Sequence, residues 1–226
     1  MKLKTLLLDL DDTILDFGAA ERAAISKTFR DMGLEPTEDL LQRYSDINVS
    51  QWEAFERGEI SRQMVLTRRF DILFEELGIC ADSQSTEDRY RGYLGIGHYF
   101  VEGAEELLEY LFGKYDLYLA SNGVAETQYS RLKSAGICHY FKEIFISETT
   151  GHHKPERAYF DYCFSRVEGF DPEKTMIIGD SLTGDIQGGI NAGIKTCWVN
   201  RKGKPRRPDI LPDYEVHSLF ELKELL

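Results

Sequence analysis

Between residues 103 and 199, helix-like and strand-like segments alternate four times. Helically spaced 103–113 precedes the apolar run Leu117–Ala120, and 125–135 precedes Ile144–Ile146. In the same way 156–167 leads to Thr175–Ile178, and 184–192 to Thr196–Val199. Strands joined by helical crossovers of this length pair in parallel, so the segment predicts a parallel sheet with helices on both faces. A fifth short apolar run, residues 4–10, belongs with it, because a strand standing alone in front of helices has nothing to pair with. From Phe17 to Tyr93 the texture is different: rich in Glu, Arg, Gln, Leu and Phe, with helical spacing. Helices are expected near 18–32, 38–57, 61–77 and 84–94, broken at Met32-Gly33, Gly58 and Gly78, with Ser61 as an N-cap. The predicted fold is α/β: a parallel-sheet core built from residues 1–15 and 98–226, with an α-helical cap subdomain, 16–97, inserted after the first strand.

A chain of 226 residues is long enough for a core of this size. Its net charge of -12 argues against a broad surface for nucleic-acid polymers or anionic membranes, yet permits a small anionic ligand. Cys80, Cys138, Cys163 and Cys197 lie far apart and form no C-x-x-C pair, which fits a reducing compartment. No apolar stretch approaches membrane-spanning length, and the expected location is cytoplasmic. Nothing in the sequence defines an oligomeric state.

The ends of the strands carry the chemistry. Leu6-Leu7-Leu8 runs straight into Asp9, Asp11, Asp12 and Thr13. Leu117–Ala120 is followed by Ser121-Asn122-Gly123, and Lys154-Pro155 lies beyond Ile144–Ile146. Ile177-Ile178 leads into Gly179-Asp180-Ser181, with Asp185 five residues past Asp180. In an open parallel sheet, ligands gather at the carboxyl ends of the strands, so these groups are expected to converge. Clustered carboxylates at a buried edge need a cation, hydrogen bonds or water.

These four motifs, in this order, resemble those of the haloacid dehalogenase superfamily, whose core is Rossmann-like and whose helical insertion after the first motif is a C1-type cap. The resemblance implies roles residue by residue. Asp9 would be the nucleophile and a metal ligand. Asp11 would be the general acid and then the base, its carbonyl also on the metal. Ser121 and the backbone around Asn122 would bind the phosphoryl group, and Lys154 would neutralise charge on nucleophile and phosphoryl oxygens. Asp180 would ligate Mg²⁺, with Asp185 ligating it or orienting a metal-bound water. Dehalogenases of the superfamily lack the second acid. Its presence as Asp11 implies an alkoxide leaving group that must be protonated, hence a phosphate monoester as small-molecule substrate.

Other residues read more plainly. Asp12 and Thr13 look like turn and cap groups, and Ser181 like a helix cap. His152 and His153 are read as part of a polar loop. The glycines of 184–193 match neither a dinucleotide nor a Walker loop and are read as close helix packing. The run Arg201–Arg207 is read as a solvated loop.

Substrate choice is expected in the insertion, which can close over a site and exclude water. The stretch Asn48–Ile60, with Arg69-Phe70, resembles the cap of pyrimidine-type 5′-nucleotidases, as does 185–193 followed by Cys197-Trp198-Val199-Asn200. That implies a nucleoside 5′-monophosphate phosphatase, pyrimidine-preferring, with Asn48, Trp52 and Arg57 as cap contacts; taken singly, Trp52, Phe55 and Phe70 read better as helix-packing core than as base-stacking groups. The same motifs serve sugar-phosphate phosphatases and phosphoglucomutases, and a catalytically silent binding module would share the fold.

Overall fold

The computed structural model describes residues 2–226. The chain divides into two compact units, residues through Phe17 with His98–Leu226, and Gly18–Gly97. It begins with β1 (Thr5–Leu8), and four helices follow: α1 (Phe17–Asp31), α2 (Glu38–Glu56), α3 (Arg62–Leu77) and α4 (Ser83–Leu94). Then come α5 (Ala104–Leu111), β2 (Asp116–Ser121), α6 (Ala125–Ala135), β3 (Glu143–Ile146), α7 (Ser147–Thr150) and α8 (Arg157–Ser165). The chain continues through β4 (Thr175–Gly179), α9 (Gln187–Ala192), β5 (Lys195–Val199), β6 (Tyr214–Val216) and α10 (Leu219–Leu225).

All six strands are parallel, in the order β3-β2-β1-β4-β5-β6. The unbroken apolar run of β1 follows from burial on both sides. Leu6 and Leu8 join a cluster with Leu107, Leu108 and Leu111 of α5 and Leu222 of α10. Leu7 joins Tyr159, Phe160 and Cys163 of α8 on the opposite face. Strand order reverses at β1, which has β2 on one side and β4 on the other, and the crevice beyond such a switch point is where ligands bind in doubly wound sheets.

Register decides what lies at that crevice. Leu8 is level with Leu119 of β2 and with Ile178 of β4. Asp9 is therefore level with Ala120 and Gly179, one residue before Ser121 and Asp180. The Asp9 amide still donates to the Ile178 carbonyl at 2.9 Å, which holds the start of the acidic turn against the sheet.

Two elements differ from expectation. Beyond residue 199 the sequence pattern suggested no further element, yet β6 extends the sheet and α10 follows it, capped by Ser218 Oγ accepting from the Glu221 amide at 3.2 Å. Three residues, Tyr214-Glu215-Val216, are too few for a recognisable period. The expected helix 184–192 is in fact a π-helical turn, Leu182–Ile186, running into α9. Gly188 and Gly189 lie where a Cβ would stand 2.5 Å from Phe160 or 2.6 Å from Ile177 and Thr196, so close packing is their role, as expected.

The helical unit closes on its own core. Tyr44, Phe70 and Tyr90 pack in tilted and edge-on contacts with centroids 5.3–6.0 Å apart, and the Arg69 guanidinium lies 4.9 Å from the centre of the Tyr90 ring. Ser61 caps α3 by accepting from the Met64 amide. A buried polar network threads this unit: Arg69 donates to Asn48 Oδ1 at 2.6 Å and pairs with Glu87, and Asn48 Nδ2 donates to Glu21 at 2.6 Å. The two ends of the Asn48 amide are thus engaged inside the unit and the residue is 1% exposed, a fold-stabilising place for a residue expected to contact substrate. Half-buried Trp52 packs edge-on against buried Phe55, and exposed Arg57 pairs with Glu59 at 2.6 Å.

Candidate active site

Lys154 sits at the centre of the strand ends. Its ammonium, 3% exposed, donates to Asp9 Oδ1 at 2.7 Å, to Asp185 Oδ1 at 2.6 Å and to the Ala120 carbonyl at 2.6 Å. Three donors meet three acceptors, so the buried cation is fully satisfied. Burial alone would push its pKa down, but the attraction of Asp185 and Asp9 outweighs it and raises the value well above the lysine range. The ammonium is kept charged.

Asp9 is held in the opposite tension. Burial, above all, pushes its carboxyl well above the usual range, and Asp185, Asp11 and Asp180 push the same way, with Lys154 alone opposing. Asp180 is pushed up to about 6 by burial, with Asp12 and Asp185 adding to the rise and Lys204 opposing it. Carboxylate oxygens of Asp9, Asp180 and Asp185 all lie within 4.8 Å of one another. Three carboxylates this close, two of them resisting ionisation, form a hard-oxygen cluster with more negative charge than its own lysine neutralises. Its donor set suits a divalent cation such as Mg²⁺.

Asp185 is buried more deeply than a first-turn helix acid need be. It is 0% exposed, and its Oδ2 accepts from the Ser181 amide at 3.0 Å. Gly179 makes room for it: a Cβ there would lie 2.1 Å from Asp185 Oδ2. Asp185 thus braces Lys154 from below while remaining within the acidic cluster. Ser181 caps the π-helical turn through a 2.9 Å bond from the Gly184 amide, as the sequence suggested. Trp198 Nε1 donates to the Asp180 carbonyl at 2.9 Å and fixes that turn from β5.

Asn122 grips the backbone of Lys154, donating to its carbonyl at 2.8 Å and accepting from its amide at 2.9 Å. That two-way bond places the lysine, while the Gly123 amide donates to Ser121 Oγ at 3.1 Å. Asp12 adopts φ +56°, unusual for a non-glycine residue, and accepts from the Phe17 amide at 3.1 Å, so it is the expected turn group. His152 and His153 both face Glu156, His153 at 2.8 Å, as a polar loop.

Sequence reasoning missed two groups. Gln128 and Arg131, on the inner face of α6, reach the Asp11 carboxylate: Gln128 Nε2 lies 2.6 Å from Oδ2, and Arg131 pairs with Oδ1. Their spacing of three was a signal that both lie on one helix face, but not that the face was buried. The basic run is also more than a solvated loop. Lys202 donates to Asp12 at 2.6 Å, Lys204 to Asp180 at 2.9 Å, and Arg201 lies 3.9 Å from Asp16. Together with Val199 and Asn200, the first of these basic residues line a small recess beside Asp12 and Asp180.

A parallel-sheet core with a buried aspartate–lysine pair, a second acid two residues on and an acidic cluster at its switch point fits a hydrolase of the haloacid dehalogenase type. The profile described as haloacid dehalogenase-like hydrolase matches residues 6–199, and the chain belongs to this family. HAD-hydrolase YfnB of Bacillus subtilis is 47% identical over 99% of this chain and 95% of its own length. A crystal structure of YfnB bound to magnesium superposes with a TM-score of 0.96, covering 100% of this chain and 99% of that one at 46% identity. Pyrimidine 5′-nucleotidase PynA of Streptococcus pneumoniae is 38% identical over 99% of this chain and 94% of its own. Pyrimidine 5′-nucleotidase YjjG of Escherichia coli is 29% identical over 100% and 99%. No helix among the described residues is long and apolar enough to cross a membrane.

Proposed function

We propose that the protein hydrolyses phosphate monoesters through a phosphoaspartyl intermediate on Asp9, with pyrimidine nucleoside 5′-monophosphates as preferred substrates. The observation that carries this reading is the buried Lys154 ammonium shared by Asp9 and Asp185, with Asp180 beside them and a second acid, Asp11, two residues from the nucleophile. An oxygen of Asp9 attacks phosphorus, the bond to the leaving oxygen breaks, and that oxygen takes a proton from Asp11. Water then attacks the same phosphorus, losing its proton to Asp11, and the electron pair of the P–O bond returns to Asp9. Lys154 orients Asp9 and offsets charge on the transferred group. Ser121, with the backbone around Asn122, meets phosphoryl oxygens. Asp9 and Asp180, with Asp185 and the Asp11 carbonyl, are the residues that would hold Mg²⁺. Bound there, the ion supplies charge neutralisation between carboxylate and phosphate.

The pyrimidine preference rests on PynA and YjjG, which carry that name at full-length similarity. Choice of base belongs to the helical unit, where Trp52 and Arg57 are the candidate contacts and Asn48 acts through its network. The test is a panel of dUMP, UMP, dTMP and sugar phosphates, with Mg²⁺ and with EDTA. Phosphate release is expected fastest from the pyrimidine nucleotides and absent in EDTA and in Asp9→Ala. A panel led by sugar phosphates would remove the nucleotide assignment, and undiminished turnover by Asp9→Ala would remove the mechanism.

A further inference from the structure

Asp11 is gripped by a fork on α6. Arg131 is 0% exposed and Gln128 2%, and the fork is internally locked, because Arg131 Nη1 donates to Gln128 Oε1 at 3.1 Å. That bond fixes which end of the amide is which. Gln128 Nε2 must face outward, where it donates to Asp11 Oδ2 at 2.6 Å and to Ser121 Oγ at 2.8 Å. Gly123 leaves the space for it: a Cβ there would stand 2.6 Å from Nε2.

The donor count has two consequences. Guanidinium and amide N–H groups only donate, so both Asp11 oxygens are acceptors in this arrangement. Ser121 Oγ likewise accepts twice, from Gln128 and from the Gly123 amide at 3.1 Å, so its own hydroxyl proton is the part left to donate to a ligand. We propose that Arg131 and Gln128 are positioning residues for Asp11 and Ser121, fixing both Asp11 oxygens from α6 and leaving the Ser121 hydroxyl to donate to a ligand.

This rests on the phosphoaspartyl reading above. Deprotonating the attacking water needs Asp11 in place: water gives its proton to Asp11, its oxygen bonds to phosphorus, and the bond to Asp9 breaks. With a leaving group that needs no proton, only this second step depends on where the fork holds Asp11. The fork is also distinct from Lys154, which touches the nucleophile and not the base.

The test uses p-nitrophenyl phosphate with Mg²⁺, because p-nitrophenolate leaves without needing the proton. Rapid-quench traces and intact-protein mass are read on Arg131→Met, Gln128→Met and Arg131→Lys, each checked by circular dichroism for folding. Steady-state turnover should fall about 100-fold in the two methionine variants, the scale of a misplaced catalytic group. A burst of one p-nitrophenol per enzyme and a phosphorylated mass should remain, with KM falling in step with kcat and kcat/KM little changed. Arg131→Lys, which keeps the charge and one donor, should recover to within about tenfold of wild type. Folded variants with wild-type turnover overturn the assignment, and so do variants that lose burst and turnover together. Gln128→Met, which removes no charge, carries the test should Arg131→Met fail to fold. A wild-type protein that neither releases p-nitrophenol nor gains the phosphoryl mass overturns the phosphoaspartyl reading instead.

Discussion

Replacing Lys204 by methionine should tighten Mg²⁺ binding. The Lys204 ammonium lies 2.9 Å from Asp180 Oδ2, with the two side chains 46% and 19% exposed. Two unit charges at that separation in a water-like dielectric attract by about 332/(80 × 2.9), or roughly 1.4 kcal/mol. Solvent and side-chain entropy reduce this to at most about 1 kcal/mol for an exposed pair. A divalent ion at Asp180 forfeits that attraction and also meets the ammonium's repulsion, so the two terms add. Removing the charge while keeping the stem should therefore strengthen Mg²⁺ binding by about 3- to 10-fold. Isothermal titration of the metal-free protein, or the electron paramagnetic resonance of Mn²⁺ as a surrogate, reads this without reference to turnover. Lys202→Met is the control, because Lys202 pairs with Asp12, outside the carboxylate cluster, and less than a twofold change is expected. Unchanged or weaker binding in Lys204→Met would show that the loop supports the ion rather than competing with it.

Two further predictions concern the acidic cluster. Gly179→Ala would drive a methyl group into Asp185, whose oxygen is 2.1 Å from the new Cβ, and should cost about 2 kcal/mol or more as the carboxylate leaves Lys154 and the Ser181 amide. For a chain of this size that is a fall in Tm of about 4–8 °C by calorimetry, and a Tm within a degree of wild type would contradict it. In EDTA the protein should lose stability as pH rises from 5 to 7.5. The Asp180 carboxyl is raised from 3.8 to about 6, so its favourable contribution is complete below the unfolded value and disappears through about pH 6. Asp9, also raised, acts in the same direction. Mg²⁺ should then raise Tm more at pH 7.5 than at pH 5, and Asp180→Asn should flatten the EDTA profile; an unaltered slope in that variant would assign the effect elsewhere.

Much of the site was legible because it follows directly from strands. Asp9, Ser121 and Asp180 each stand at or just past the end of an apolar run, and parallel register brings strand ends together whatever the loops do. Lys154 was placed at the same edge only loosely, since it lies eight positions beyond Ile146, and its role came from the family resemblance. The burial of Asn48 was not legible, because a polar residue among helix-spaced aromatics gives no sign of its partners, Arg69 and Glu21. The basic run looked solvated because its partners, Asp12 and Asp180, lie 190 and 24 residues away along the chain.

The order of apolar runs and helical spacings settled the layers, the parallel sheet and the acidic edge, since backbone hydrogen bonding leaves few ways to bury such segments. What only tertiary packing decided is the company each charge keeps. Gln128 and Arg131 are, as residues, ordinary members of an amphipathic helix. They become the holders of Asp11 because α6 packs that face inward, where a guanidinium must find a carboxylate or give up its burial.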